Sequence, residues 1–329
     1  MSKFLPGIVS SFIIASISWH LGGKFPVIGV AVFSILTGML ISSVRSYPVL
    51  APGAGFAAKK FLQLSIVLIG FDMNMFRVLE VGAESIIVML FTFSAAFLTA
   101  WAAGKFLNLN SNTVTLIGVG TAVCGGSAIA AAAPIINADD KDIAHSISTI
   151  FLFNIIAIFV FPAIGRVFGM SDTGFGILAG TAINDTSSVL AAGYSYSDRA
   201  GELATIVKLT RTLTIIPITF VLSVYVSGKS ANKSKLKFSF LNAFPWFVAG
   251  FILASTVNTF GGGIIPSYIS RYLVISGRFL IAAAMAAIGL NTDLVKLVKS
   301  GSKPIFLGFS CWIAVSLVSV TVQYFMGLL

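Results

Sequence analysis

The stretch Gly180-Thr181-Ala182-Ile183-Asn184-Asp185-Thr186-Ser187-Ser188 lies between two apolar runs, and its reading decides the fold. Hydroxyls, carboxamides and a carboxylate in hydrocarbon cost free energy unless they are paired. A backbone that breaks at membrane depth is tolerated only where protein buries it or where it lines a wet cavity. The stretch is therefore a surface loop or a binding site. Three features favour the site. Its flanks, Gly176 to Gly180 and Val189 to Gly193, are small and apolar. A second stretch, Gly120-Thr121-Ala122-Val123-Cys124-Gly125-Gly126-Ser127, has the same shape. A segment carrying Lys208 and Arg211 follows directly.

The surroundings are those of a membrane protein. The chain has 329 residues, 57% hydrophobic and only 10% charged, with a mean hydropathy of +0.99. Soluble domains carry about 25% charged residues. Eleven apolar segments follow one another, at about 6–22, 26–44, 53–71, 81–104, 113–136, 143–168, 174–193, 201–227, 241–260, 267–290 and 303–327. Each is close to the ~20 residues that a helical span needs. Long runs without period-two alternation point to an all-α polytopic bundle, not a barrel. The N-terminal run lacks a small-x-small cleavage site and reads as a retained first span.

The formal charge of +10 is concentrated in the connections. That pattern carries orientation and does not call for nucleic acid. With the loop bearing Lys229, Lys233, Lys235 and Lys237 in the cytoplasm, alternation brings Lys3, Arg45, Lys59, Lys60, Lys105, Arg166, Lys296, Lys299 and Lys303 inside as well. Lys24, Arg77, Lys141, Arg199 and Arg271 fall outside, thirteen basic residues against five. The expected placement is a bacterial inner membrane, multi-pass, with the N-terminus cytoplasmic and the C-terminus outside. Cys124 and Cys311 both lie in apolar segments and imply no disulfide framework. His20 and His145 are far apart without companion ligands, so no metal is expected, and no cofactor motif is present.

Two internal similarities appear. A shift of 219 residues takes Ile69-Gly70 onto Ile288-Gly289, Gly82 onto Gly301, and the pair Asp72 and Asn74 onto Asn291 and Asp293, relating 26–108 to 245–327. One copy falls outside and the other inside, the sign of an inverted-topology repeat within a single transporter domain spanning 1–329. A shift of 60 takes Gly120-Thr121-Ala122 onto Gly180-Thr181-Ala182 and Ser127 onto Ser187, relating 113–168 to 174–227. Simple crossings would make these copies parallel. Re-entrant hairpins, giving nine spans plus two hairpins, would make them inverted. Loop charges fit both.

The candidate chemistry gathers at the two interruptions. Paired glycines disfavour helix by about 1 kcal/mol each and let backbone N–H groups approach a ligand, and the helix beginning after Ser127 would turn its positive end toward the break. Lys208 and Arg211, three residues apart, share a helix face. Two intramembrane cations mark a functional site by default. They read either as ion-pair partners of Asp185 or Glu202, or as the receptor for an anion, Arg211 offering a fork to oxyanions. The expected substrate contacts are Cys124, Gly125, Gly126, Ser127, Asn184, Thr186, Ser187, Ser188, Lys208 and Arg211. Asp185, with Thr121, Thr181 and Asn154, is the expected coupling-ion set, although Asp185 also reads as a helix N-cap and Asn154 as helix–helix glue. Arg278 is a further cation, with Asp293 or Asp72 as candidate partners.

The run Gly120-Thr-Ala-Val-Cys-Gly-Gly-Ser-Ala-Ile-Ala130, followed by Asp140 to Asp142 and Thr149-Ile-Phe-Leu-Phe-Asn154, resembles the YeiH-type family of bacterial inner-membrane proteins, which carry the name of sulfate exporters. Gly180 to Ser188, Ala191-Ala-Gly-Tyr194 and Lys208-Leu-Thr-Arg211 extend the resemblance over most of the chain. It departs at Asn184, where the family pattern has His before the Asp, so a proton relay through that position does not carry over. The resemblance implies a secondary transporter, with kinship to bile-acid symporter and sodium/proton antiporter architectures. The expected function is movement of a small anion, such as sulfate or an organic sulfonate or carboxylate, coupled to H+ or Na+, with lipid around it and a homodimer as the assembly allowed for. The alternatives are a cation/proton antiporter without an anion substrate, and a membrane enzyme using Cys124 and His145. No P-loop is present, so ATP is not the direct drive.

Overall fold

The computed structural model describes residues 3–25, 29–44, 48–229, 245–261, 266–293 and 301–329. The basic stretch beyond Lys229, together with Arg45, Lys296 and Lys299, lies outside the described residues. The chain is helical: α1 Leu5–Lys24, α2 Val30–Val44, α3 Ala51–Ile69, α4 Met75–Phe106, α5 Ser111–Ala122, α6 Gly126–Ala132, α7 Asp140–Val167, α8 Asp172–Ala182, α9 Thr186–Tyr196, α10 Asp198–Leu213, α11 Ile215–Lys229, α12 Trp246–Phe260, α13 Ser267–Asn291 and α14 Ser302–Met326. Seven helical stretches are long and apolar enough to cross a membrane, with α10 and α11 joined as one of them, and α2 and α12 are shorter apolar helices. It is a polytopic membrane protein.

Small polar residues start the helices that matter. Asn74, Asn110, Ser171, Asp185 and Ser197 each accept a backbone N–H from the first turn of the helix that follows. Each thereby satisfies one of the donors that a helix start leaves without an internal partner.

The packing divides the helices into two groups. The first comprises α1, α2, α3, α12 and α13, and the second comprises α4 to α11 with α14. Within the first, α2 and α13 cross backbone against backbone. A Cβ on Gly289 would lie 2.9 Å from the Met39 nitrogen and 3.0 Å from the Gly38 Cα. Neither helix can yield there by rotating a side chain. Gly289→Leu is expected to cost at least the 1–3 kcal/mol typical of overpacking. A lower midpoint of thermal unfolding in detergent, with Gly55→Leu as a control facing only Asn291 Nδ2 at 3.8 Å, checks this.

The segments 113–136 and 174–193 do not cross. Thr113 Oγ1 donates to Asp142 Oδ1 at 2.6 Å and Asn110 Nδ2 to Asp142 Oδ2 at 2.9 Å. The start of α7 therefore lies beside the start of α5, and α5–α6 leaves and returns at the same end of the bundle. The second interruption behaves likewise. Ser197 Oγ donates to Asp172 Oδ1 at 2.6 Å, Tyr196 stacks on Phe175 with centroids 4.0 Å apart, and Arg166 reaches the Ser195 carbonyl. The end of α9 thus returns to the start of α8. Helix α7, 28 residues and about 42 Å long, joins the two ends. One hairpin therefore enters from the end marked by Asn110 and Asp142, the other from the end marked by Asp172 and Ser197. Of the two topologies open in the sequence, the one with two re-entrant hairpins is the observed one. It exchanges Lys141 and Arg166 between the two ends; Lys59 and Lys60, expected inside, lie in the middle of α3, which leaves eleven basic residues inside against five.

Candidate functional site

Arm lengths place the hairpin tips at mid-depth. Helix α5 has 12 residues and α8 has 11, so each arm rises about 17 Å, roughly half of a ~30 Å hydrocarbon core. At the first tip the chain reverses through Gly125, whose φ of +68° and ψ of −124° suit glycine alone. Its N–H closes the turn on the Gly120 carbonyl at 2.9 Å. At the second tip Ile183 and Asp185 are extended, and Asp185 caps α9. The tips touch: a Cβ on Gly125 would stand 3.7 Å from Cβ of Asn184.

Lys208 and Arg211 hold this junction. Helix α10 runs alongside α8, with Gly176 against Leu203 and Gly180 against Val207, and back along α9, with Gly193 against Gly201. The two cations therefore arrive at tip depth. Lys208 Nζ donates to the Val123 carbonyl at 2.9 Å and the Ile183 carbonyl at 3.2 Å, one from each hairpin. Arg211 Nε donates to the Ala122 carbonyl at 2.8 Å, and its terminal nitrogens reach the carbonyls of Thr121 and Thr181. Both side chains are fully buried, and the Arg211 guanidinium lies 5.9 Å from the Phe93 ring centre. Their acceptors are the unsatisfied carbonyls at the C-terminal ends of α5 and α8, where the helix dipole carries partial negative charge. Neither cation pairs with a carboxylate among the described residues. Glu202 belongs instead to Arg278, which also binds Asp198.

The remaining candidates gather around the same junction. Asp185 Oδ2 accepts the Ser188 N–H at 3.2 Å, the Ser188 hydroxyl at 3.3 Å and the Ser187 hydroxyl. Ser187 and Ser188 are buried, while Asp185 and Thr186 are half-buried. Asn154, from the middle of α7, accepts the Asn184 N–H at 3.0 Å. Thr181 Oγ1 donates to the Ile177 carbonyl and meets Ser319 Oγ at 2.7 Å. Cys124 is a buried free thiol, Gly126 faces open space and Ser127 is exposed. Among these candidate residues three buried polar atoms have no partner: Thr121 Oγ1, Asn154 Nδ2 and Asn184 Oδ1. A donor and an acceptor without partners beside a tip bridged by two cations are the expected state of a site that receives a polar guest.

Sequence reasoning missed the floor of this site. Ser319 and Gln323 on α14 are fully buried, with Gln323 Nε2 donating to Ser319 Oγ at 3.1 Å beneath Thr181. The available signal was a serine and a glutamine four residues apart inside the apolar segment 303–327.

Comparison with other proteins fits this architecture. The profile of a family described as conserved hypothetical protein 698 matches residues 6–308. The chain belongs to that family. Similar proteins include a UPF0324 membrane protein of Streptococcus pneumoniae, 45% identical over 335 residues and covering 100% of this chain and 99% of its own. Another, from Streptococcus pyogenes, is 44% identical over 334 residues, and a third, from Fusobacterium nucleatum, is 43% identical over 347 residues. The family match takes in both hairpins and the Lys208–Arg211 pair, so the site described here lies inside the part of the chain shared with the conserved hypothetical protein 698 family.

Proposed function

We propose that the protein is a secondary transporter of a small anion, with its site at the meeting point of the two hairpins. The observation that carries this reading is the bridging of both tips by Lys208. Discontinuous helices that enter from opposite ends and meet at mid-depth are the arrangement through which inverted-repeat transporters expose one site alternately to either side. The charge balance favours an anion. Lys208 and Arg211 offset the two negative helix ends that they touch, each worth about half a charge. Asp185 offsets the start of α9. About half a positive charge then remains, spread over the tip, with Ser127, Thr186 and the unpartnered amide of Asn154 nearby. Every hydrogen bond that the two cations make goes to a carbonyl, so their charge acts on the anion as a field across the tip backbone. Sulfate, an organic sulfonate or a carboxylate is the proposed cargo, with H+ or Na+ coupled through Asp185, Thr121, Thr181 and Asn154.

By the positive-inside bias we place the Asn110 end in the cytoplasm of a bacterial inner membrane and the Asp172 end outside. Cys124 is given no catalytic role. A second reading, a cation/proton antiporter using Asp185, is favoured by the engagement of every observed Lys208 and Arg211 hydrogen bond with carbonyls. Proteoliposomes separate the two. Gradient-driven uptake of labelled sulfate, methanesulfonate or acetate is expected under the anion reading. Collapse of a pH gradient by Na+ with no dependence on any anion would replace it with the antiporter, and inert vesicles would remove both.

A further inference from the structure

The two helix groups meet along a seam. Ala31, Val32 and Ile35 of α2 and Ile281 and Met285 of α13 share one buried apolar cluster with Leu190 and Ala191 of α9 and Leu203 and Ile206 of α10. Apolar contact of this kind is non-directional and holds no particular register. At the Asp172 end a charged contact crosses it. Arg278, from α13, donates to Asp198 Oδ2 at 2.8 Å and lies 3.8 Å from Glu202 Oε1, both at the start of α10. Its guanidinium carbon stands 5.5 Å from the Tyr194 ring centre at the end of α9. Tyr194 lies on the second arm of the hairpin, and Asp198 and Glu202 lie on α10, the helix that brings Lys208 and Arg211 to its tip. Beside the cluster is a cavity of about 320 Å³ lined by Trp19, Tyr194, Asp198, Arg278, Ile281 and Ala282, with walls from both groups. The Arg278 Nε and the Tyr194 hydroxyl lack hydrogen-bond partners there.

We propose that Arg278, Asp198 and Glu202 form a releasable latch that holds the two helix groups together at the Asp172 end, and that the cavity beside it is the space into which the arginine is released. The proposal rests on the transporter reading and adds its gate. An ion pair of this geometry is a discrete contact, made or broken, whereas the apolar seam can slide. Arg278 is only 28% exposed and Asp198 67%, so release moves the arginine into the cavity it already borders, without stranding its charge in lipid.

The test reads opening directly. Ile281, one turn from Arg278 on the cavity wall, is 3% exposed. An Ile281→Cys reporter is placed in the full chain in proteoliposomes, and its labelling by a membrane-impermeant maleimide is timed. The native Cys124 and Cys311 are buried, and the protein without the reporter supplies the background. Arg278→Gln is expected to raise the labelling rate about tenfold. Asp198→Asn combined with Glu202→Gln, which removes the acids and keeps the arginine, must give the same rise. The exchanged pair Arg278→Asp with Asp198→Arg must restore slow labelling. Unchanged rates overturn the latch, as does a rise in only one of the two broken pairs. Labelling needs no cargo, so a protein that opens in these variants yet carries no anion loses the cargo assignment and keeps the latch.

Discussion

Arg211→Ala is expected to destabilise the protein more than any other single truncation at the site, by about 3 kcal/mol or more, whether or not any substrate is present. The reason lies in what Arg211 touches. Its donors serve the Thr121, Ala122 and Thr181 carbonyls, on both hairpins, in a place that water does not reach. An unsatisfied buried acceptor costs about 1–3 kcal/mol, and here several are stranded together at the negative ends of two helices. Arg211→Lys keeps the charge but replaces the planar fork with a single point, so it should recover part of the loss. Lys208→Met removes two hydrogen bonds in place of five, together with the direct bridge between Val123 and Ile183, and is expected to fall between the two. Thermal unfolding of purified protein in detergent, without added anion, decides the matter. If Arg211→Ala matched the parent there and lost only the stabilisation conferred by an anion, the residue would be a ligand and not a clamp on the two tips.

The placement of these cations shows where the sequence was readable. Two charges in an apolar segment announce a site, because hydrocarbon penalises them. Their targets have no such signature: backbone carbonyls occur at every residue, and only the fold shows which ones lack helical partners. The same limit explains the hairpins. Gly125-Gly126 and Asn184-Asp185 were legible as interruptions, since glycine and a capping acid break a helix by known means. Whether the chain continues or reverses after an interruption depends on the Thr113–Asp142 and Ser197–Asp172 contacts. Those are pairs of polar residues at segment ends, 29 and 25 positions apart, that look like any loop residues until they meet. Arg278 was legible as a charge in need of an acid, with Asp293 or Asp72 the expected partners, whereas the observed ion pairs are with Asp198 and Glu202. Its partners Asp198 and Glu202 were hidden because the seam between helix groups brings together segments remote in the chain.

Asp185→Asn is expected to separate the two functions that converge on one carboxylate. As an N-cap, Asp185 accepts the Ser188 N–H and orders the Ser187 and Ser188 hydroxyls. Asparagine caps about as well as aspartate, so the folded protein should lose less than about 1 kcal/mol, whereas Asp185→Ala should lose the cap and cost about 0.5–2 kcal/mol. As the sole carboxylate at the tip junction among the described residues, Asp185 is also the group that can take up and release a coupled proton or hold a sodium ion. Asparagine can do neither. Gradient-driven flux should therefore fall at least tenfold in Asp185→Asn while thermal stability stays near that of the parent, and exchange of labelled anion at equal concentration on both sides should persist. A cap alone predicts the opposite ranking, with Asn near normal in flux and Ala impaired in flux and stability together. Gradient-driven transport that survives in Asp185→Asn would confine this residue to holding the start of α9 and send the search for the coupling group to Thr121, Thr181 and Asn154.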